Sequence, residues 1–110
     1  MLFLLNKNPT KDQFQKACEE FGDYIKFNLD LESNSFTIGG QLHADGEKLL
    51  LDNGSQQENI WGGGYDLLIK QFDCNSLINT RPGNPSQEIL DPQLRERFFK
   101  LCQKILPNKI

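Results

Sequence analysis

A chain of 110 residues, 37% hydrophobic and 25% charged, with a formal net charge of −3, has the balance of a folded globular protein rather than a disordered one. Its length suits one domain spanning 1–110, able to bury a core without metal or disulfide staples. Twelve Lys and Arg residues stand singly among fifteen Asp and Glu, so no cationic run is available for a phosphate backbone and nucleic acid is disfavoured as a partner.

Met1 to Leu5 is apolar but too short for a signal peptide or a membrane span, and it reads as an edge strand or a core plug. Thr10 and Gln13 then form a Thr-x-x-Gln capping box. Phe14, Ala17, Cys18 and Phe21 recur at helical spacing behind it, and Gly22 supplies the stop. From Tyr24 to Leu31 the apolar residues alternate with Lys26, Asn28 and Asp30, which predicts a half-buried strand with one wet face. Glu32 to Ser35 is turn material, and Phe36 to Ile38 its hairpin partner.

Lys48 to Leu51 lies between Asp45-Gly46 and Asn53-Gly54, dipeptides suited to tight hairpin turns, and is expected to be a strand. Gln56 to Trp61 is expected to pair back on it. Gly62-Gly63-Gly64 reads as a flexible break, Tyr65 to Phe72 as one strand and Ser76 to Asn79 as the last. Connections this short demand antiparallel pairing. Asp91 and Pro92 open a final helix, Leu94, Phe98, Leu101, Cys102 and Ile105 make its apolar stripe, and Pro107 stops it. The fold class is therefore α+β: an antiparallel meander sheet of about five strands with the N- and C-terminal helices packed on one face, in two layers.

The cysteines Cys18, Cys74 and Cys102 are odd in number, with no Cys-x-x-Cys spacing, which suits a reducing, cytoplasmic setting. Cys18 and Cys102 fall on apolar helix faces, and Cys74, between Asp73 and Asn75, is expected near solvent. Asp73 beside it would raise its pKa rather than activate the thiol.

Two turns carry the chemistry. His43, Asp45 and Glu47 would share one face if a strand ran through them, giving His43 a carboxylate neighbour and making it a candidate general base oriented by Asp45. The trio could also contribute ligands to a divalent metal, but one histidine at this spacing defines no metal site, and no cofactor is specified. Asn79, Arg81 and Asn84 surround Pro82-Gly83, where a guanidinium fork flanked by amides suits a carboxylate or phosphate. The bland alternative is an arginine that ties its loop to backbone carbonyls or to an acidic neighbour such as Glu88. Trp61 is either a stacking anchor or, more commonly for a lone tryptophan, a core residue. The glycines after it lack the strand-to-helix setting and the Lys-Ser/Thr ending of a phosphate loop.

The words Gly-Gly-x-Leu-His-Ala-Asp at 39–45, Asn-Gly-Ser-x-Gln at 53–57, Ile-Trp-Gly at 60–62 and Ser-Leu-Ile-Asn-x-Arg-Pro from 76, with Gly-Asn-Pro-Ser behind, resemble a small prokaryotic family of unknown function. The resemblance implies that the polar residues at these turns belong to a shared pattern, and carries no residue roles.

Three readings follow. The leading one is a binding module in which His43, Asp45, Asn79, Arg81 and Asn84, with Trp61 beside them, receive a small anionic or polar ligand or a protein partner. The second is a small hydrolase or lyase with His43 as base, Asp45 orienting it and Arg81 stabilising negative charge. The third is an interaction module, or a homo-oligomer, pairing through an edge strand or the Trp61 region.

Overall fold

The computed structural model describes residues 2–19 and 22–105. Met1, Phe21, Pro107 and the side chain of Cys18, each assigned a role above, lie outside the described residues. Five antiparallel strands form one open sheet: β1 (Phe3–Leu5), β2 (Tyr24–Asp30), β3 (Phe36–Ile38), β4 (Ile60–Asp66) and β5 (Gln71–Asp73), in the order β1-β3-β2-β4-β5. Three helices accompany it: α1 (Lys11–Glu19), α2 (His43–Asp52) and α3 (Pro92–Ile105). The fold is α+β, and none of the described helices is long and apolar enough to cross a membrane.

The first and last helices start as the capping rules require. Thr10 Oγ1 accepts from the Gln13 amide at 3.1 Å, and Gln13 Oε1 accepts from the Thr10 amide at 3.0 Å. Gly22 takes the left-handed conformation, φ 64°, after α1. Asp91 Oδ1 accepts from the amides of Gln93 and Leu94 at the head of α3. The strand period then sorts β2 into two faces. Ile25, Phe27 and Leu29 lie in register with Tyr65, Ile38 and Phe36 and with Gly63 and Trp61. This face is the core, closed by Phe14 and Ala17 of α1 and by Phe98, Cys102 and Ile105 of α3.

The other face is not wet. Lys48 to Leu51 is helical, and α2 lies across β2 and β3, so the domain has a third layer. Asp45-Gly46 is consequently no hairpin turn but the first half of a helix. A Cβ on Gly46 would come within 2.2 Å of Asn28 Nδ2 and 2.4 Å of Thr37 Oγ1. Only glycine lets α2 approach this closely, despite a helix-propensity cost of about 1 kcal/mol. Under it, Asn28 and Thr37 are fully buried, with Asn28 Nδ2 donating to Thr37 Oγ1 at 3.1 Å. Asp30 is buried on the same face. Burial alone would raise its carboxyl pKa, but the Ser55 hydroxyl, the backbone N–H groups of Ser33 and Glu32 and the Ser33 hydroxyl outweigh that effect and hold it below the usual carboxylate range.

Three further expectations are corrected. Gly62-Gly63-Gly64 is no flexible break but the buried middle of β4. The run Tyr65 to Phe72 is split by a turn into the end of β4 and the start of β5, with Lys70 at φ 55°. Ser76 to Asn79 is not a strand, since Leu77–Asn79 forms a 3-10 turn, as does Gln57–Asn59 before β4. The triplet needs its glycines because both faces of β4 are occupied. A Cβ on Gly62 would meet Ser76 and His43, one on Gly63 the Asp73 carbonyl at 2.2 Å and Phe98 Cζ at 2.7 Å, and one on Gly64 the Tyr24 hydroxyl at 2.3 Å. Gly63→Ala is expected to destabilise the protein by about 3 kcal/mol, measured as a lower urea midpoint at unchanged slope, because backbone on one side and a core ring on the other leave no direction for relief.

Candidate functional site

Residues 74–91 carry little regular structure, and the polar residues expected to bind a ligand organise them. The Asn79 side chain is fully buried. Its Oδ1 accepts from the Gly62 amide at 2.8 Å, while Nδ2 donates toward the carbonyls of Gly62, Cys74 and Gln87 at 2.8–2.9 Å. A carboxamide engaging both backbone groups of one residue imitates a neighbouring strand, and it does so where β4 runs on beyond the pairing with β5. Asn84 repeats the device: Nδ2 lies 2.9–3.1 Å from the carbonyls of Asn79, Ser86 and Glu88, and Oδ1 accepts from Leu90.

Arg81 is committed to the backbone on either side of it as well. Nη1 donates to the Gln57 carbonyl at 3.1 Å, and Nη2 to those of Ile60 at 2.7 Å and Ile78 at 3.0 Å. Its guanidinium carbon sits 3.8 Å from the centre of the Trp61 ring, a stacked cation–π contact. Burial lowers its pKa, with the Glu47 carboxylate opposing the shift. Trp61 itself is 5% exposed and belongs to the core cluster, with Arg81 over one face of its ring. Cys74, expected near solvent, is buried, because its strand end turns under α3 beside Cys102.

His43 opens α2 rather than ending a strand. With the helical period, Glu47 shares its side of the helix, while Asp45 points elsewhere and is exposed. The strand-face grouping of His43 with Asp45 therefore does not form. Instead the imidazole Nε2 lies 2.7 Å from the Gly63 carbonyl, which only accepts, so Nε2 carries the proton and Nδ1 is the basic nitrogen of the neutral ring. Burial, then the Lys26 ammonium, lowers the His43 pKa from 6.5 against the opposing Gly63 carbonyl and Asp73 carboxylate.

A cleft of about 280 Å³ lies between the N-terminus of α2 and the 3-10 turn, lined by Lys26, Leu42, His43, Ser76, Leu77 and Ile78 among others. No side chain caps the first turn of α2, whose preceding residue is Leu42. Leu42 and Leu77 are 61% and 75% exposed at its two lips. The two turns singled out in the sequence meet through Ile78, which lines the cleft with His43 and gives its carbonyl to Arg81. Lys26, Ser76 and Leu77 were not anticipated. Lys26 read as a solvated strand residue, and only the position of α2 makes it a wall of this cleft.

Residues 3–105 match the family described as protein of unknown function DUF5674, and the chain belongs to that family. Neither a curated protein nor a solved structure matches it.

Two outcomes test this geometry. Asn79→Ala leaves the Gly62 amide and several buried carbonyls unpaired and should cost about 3 kcal/mol or more in chemical denaturation, whereas the solvent-facing Asn75→Ala should cost under about 0.5 kcal/mol. The His43 ring, followed by NMR, should titrate below 6.5. Because its folded pKa is the depressed one, the unfolded state binds more protons in that interval. Stability should therefore be complete above pH 6.5 and fall as pH drops toward the folded pKa, a dependence that His43→Gln abolishes.

Proposed function

We propose that the protein is a binding module that takes an anionic group with an apolar tail into the cleft between α2 and the Ser76–Ile78 wall. The observation that carries this reading is an uncapped helix N-terminus opening beside a lysine: the first-turn amides and the Lys26 ammonium bring positive charge to one end of a cleft whose lips are apolar. Leu42 and Leu77 give a hydrocarbon tail somewhere to lie. Asp45, exposed in the same first turn, partly offsets the charge and favours a ligand that enters from the Lys26 side.

In this reading Asn79, Arg81, Asn84 and Trp61 are positioning residues. They hold the Ser76–Ile78 wall and do not touch the ligand. The shared chemistry is a carboxylate or phosphate on an aliphatic chain, whether free or at the end of a protein tail. Hexanoate and hexyl phosphate are the probes. Amide shifts at residues 42–45 and 76–78, with affinity about tenfold weaker in Lys26→Gln, would support the proposal. Saturable binding that Lys26→Gln leaves unchanged, or no shifts at these amides, would overturn it.

A second reading rests on the His43 tautomer. A neutral imidazole, its Nε2–H held by the Gly63 carbonyl in the role expected of Asp45, presents Nδ1 as a general base. It predicts hydrolase or lyase activity in a screen of esters, amides and hydroxy acids, reduced about 10²- to 10⁴-fold by His43→Ala. Activity retained in that variant removes this mechanism.

A further inference from the structure

A second groove, of about 320 Å³, runs along α3 on the core-helix side of the molecule, bounded by the β1–α1 connection and the β2–β3 turn. Its charge is out of keeping with the rest of the chain. The protein is acidic overall, yet four of its twelve Lys and Arg residues, Lys7, Arg97, Lys100 and Lys104, line this one groove, and no carboxylate is among its described lining residues. The amides of Asn6, Asn8 and Asn34 complete the polar rim. Below them Leu101 is partly exposed, over Leu31, Phe36 and Ile105, which are buried in the core.

A solvated helix face accounts for only part of this. Arg97, Lys100 and Lys104 fall on one side of α3, and cations near a helix C-terminus are favoured by its dipole. Lys7, however, arrives from a different element. The Arg97 guanidinium is also not splayed into solvent: Nη2 donates to the Leu31 carbonyl, which fixes the fork at the groove wall. Lys100 pairs with Glu96 at 3.0 Å, but both side chains are largely exposed and such a pair contributes little. The remaining cations repel one another weakly through solvent, a repulsion that an anion between them would relieve.

We propose that this groove binds a small phosphate ester, its dianionic phosphate held by Lys7, Arg97 and Lys104 and its apolar body lying on Leu101 and the hydrocarbon stems of the lysines. Several cations favour a doubly charged group over a single carboxylate, and the guanidinium fork matches phosphate oxygens. This apolar contact sets a requirement that charge alone does not: the ligand needs an organic body as well as its phosphate. The site lies apart from the α2 cleft and shares no lining residue with it.

The experiment is an NMR titration at low salt with phenyl phosphate, inorganic phosphate and phenol, on the wild-type protein and on Lys7→Gln/Lys104→Gln. Both lysines are exposed, so the double variant should fold normally, as thermal melting would verify. The expected result is shifts at residues 6–8, 31–36 and 97–105, separate from any at 42–45 and 76–78, with phenyl phosphate binding at the groove more tightly than either fragment and at least a tenfold loss there in the double variant. Equal affinity for inorganic and phenyl phosphate would overturn the proposal, since the apolar contact would then be idle. So would phenol binding as well as the ester, an unchanged affinity in the double variant, or tighter binding of a single-stranded oligonucleotide through the same residues.

Discussion

The constraint on which the rest depends is the unfinished edge of β4. Its β2 side is paired along its whole length, but β5 covers only Gly64 to Asp66 on the other. Beyond that point the backbone of Gly62 and Ile60 would be left with buried, unpaired polar groups, each costing about 1–3 kcal/mol. The chain solves this with side chains. Asn79 supplies a donor and an acceptor to Gly62, and Arg81 a donor to Ile60. These contacts also shape the 74–91 segment, so that Ile89 reaches the core and the 3-10 turn stands as a wall facing α2.

A second constraint is closeness. Gly62, Gly63 and Gly64 on β4, and Gly46 on α2, each stand where a methyl group would strike a neighbour. Removing side chains there lets His43 and Ser76 flank Gly62 and sets the imidazole against the Gly63 carbonyl. The geometry of the cleft thus follows from absent atoms as much as from present ones. Glu47 Oε2 and Arg81 Nε are buried without a hydrogen-bond partner, and the Glu47 carboxylate favours the charged guanidinium.

Much of the fold was legible where local chemistry decides. The capping box at Thr10 and Gln13, Asp91 before Pro92, the left-handed Gly22 and the alternation from Tyr24 are all local signals, and the structure carries each of them. Helix α2 was illegible because its inward stripe is His43, Gly46, Glu47 and Leu50, at helical spacing but with a single large apolar member. Hydrophobic periodicity cannot register a helix that packs by glycine and polar contact, and the leucines at 49–51 imitate a short strand. Missing α2 then made Asn28 and Asp30 look wet. The strip around Asn79, Arg81 and Asn84 is rich in amides and a guanidinium, but residue type alone does not distinguish an amide that faces a ligand from one that faces a carbonyl. That distinction depends on which strand edge lies opposite, a matter of tertiary structure.

The asparagine latches also bear on how the protein ages. Loss of ammonia from the Asn79 side chain would replace an amino group directed at three carbonyls with a carboxylate oxygen, turning attraction into repulsion at the heart of the loop. The succeeding residues guard against this chemistry: Thr80 is β-branched and hinders cyclisation, and the amide nitrogen of Pro85 after Asn84 carries no hydrogen to lose and so cannot attack. Asn53, followed by Gly54 on an exposed corner, lacks both protections, so chemical wear is directed to a place where the sheet does not depend on it.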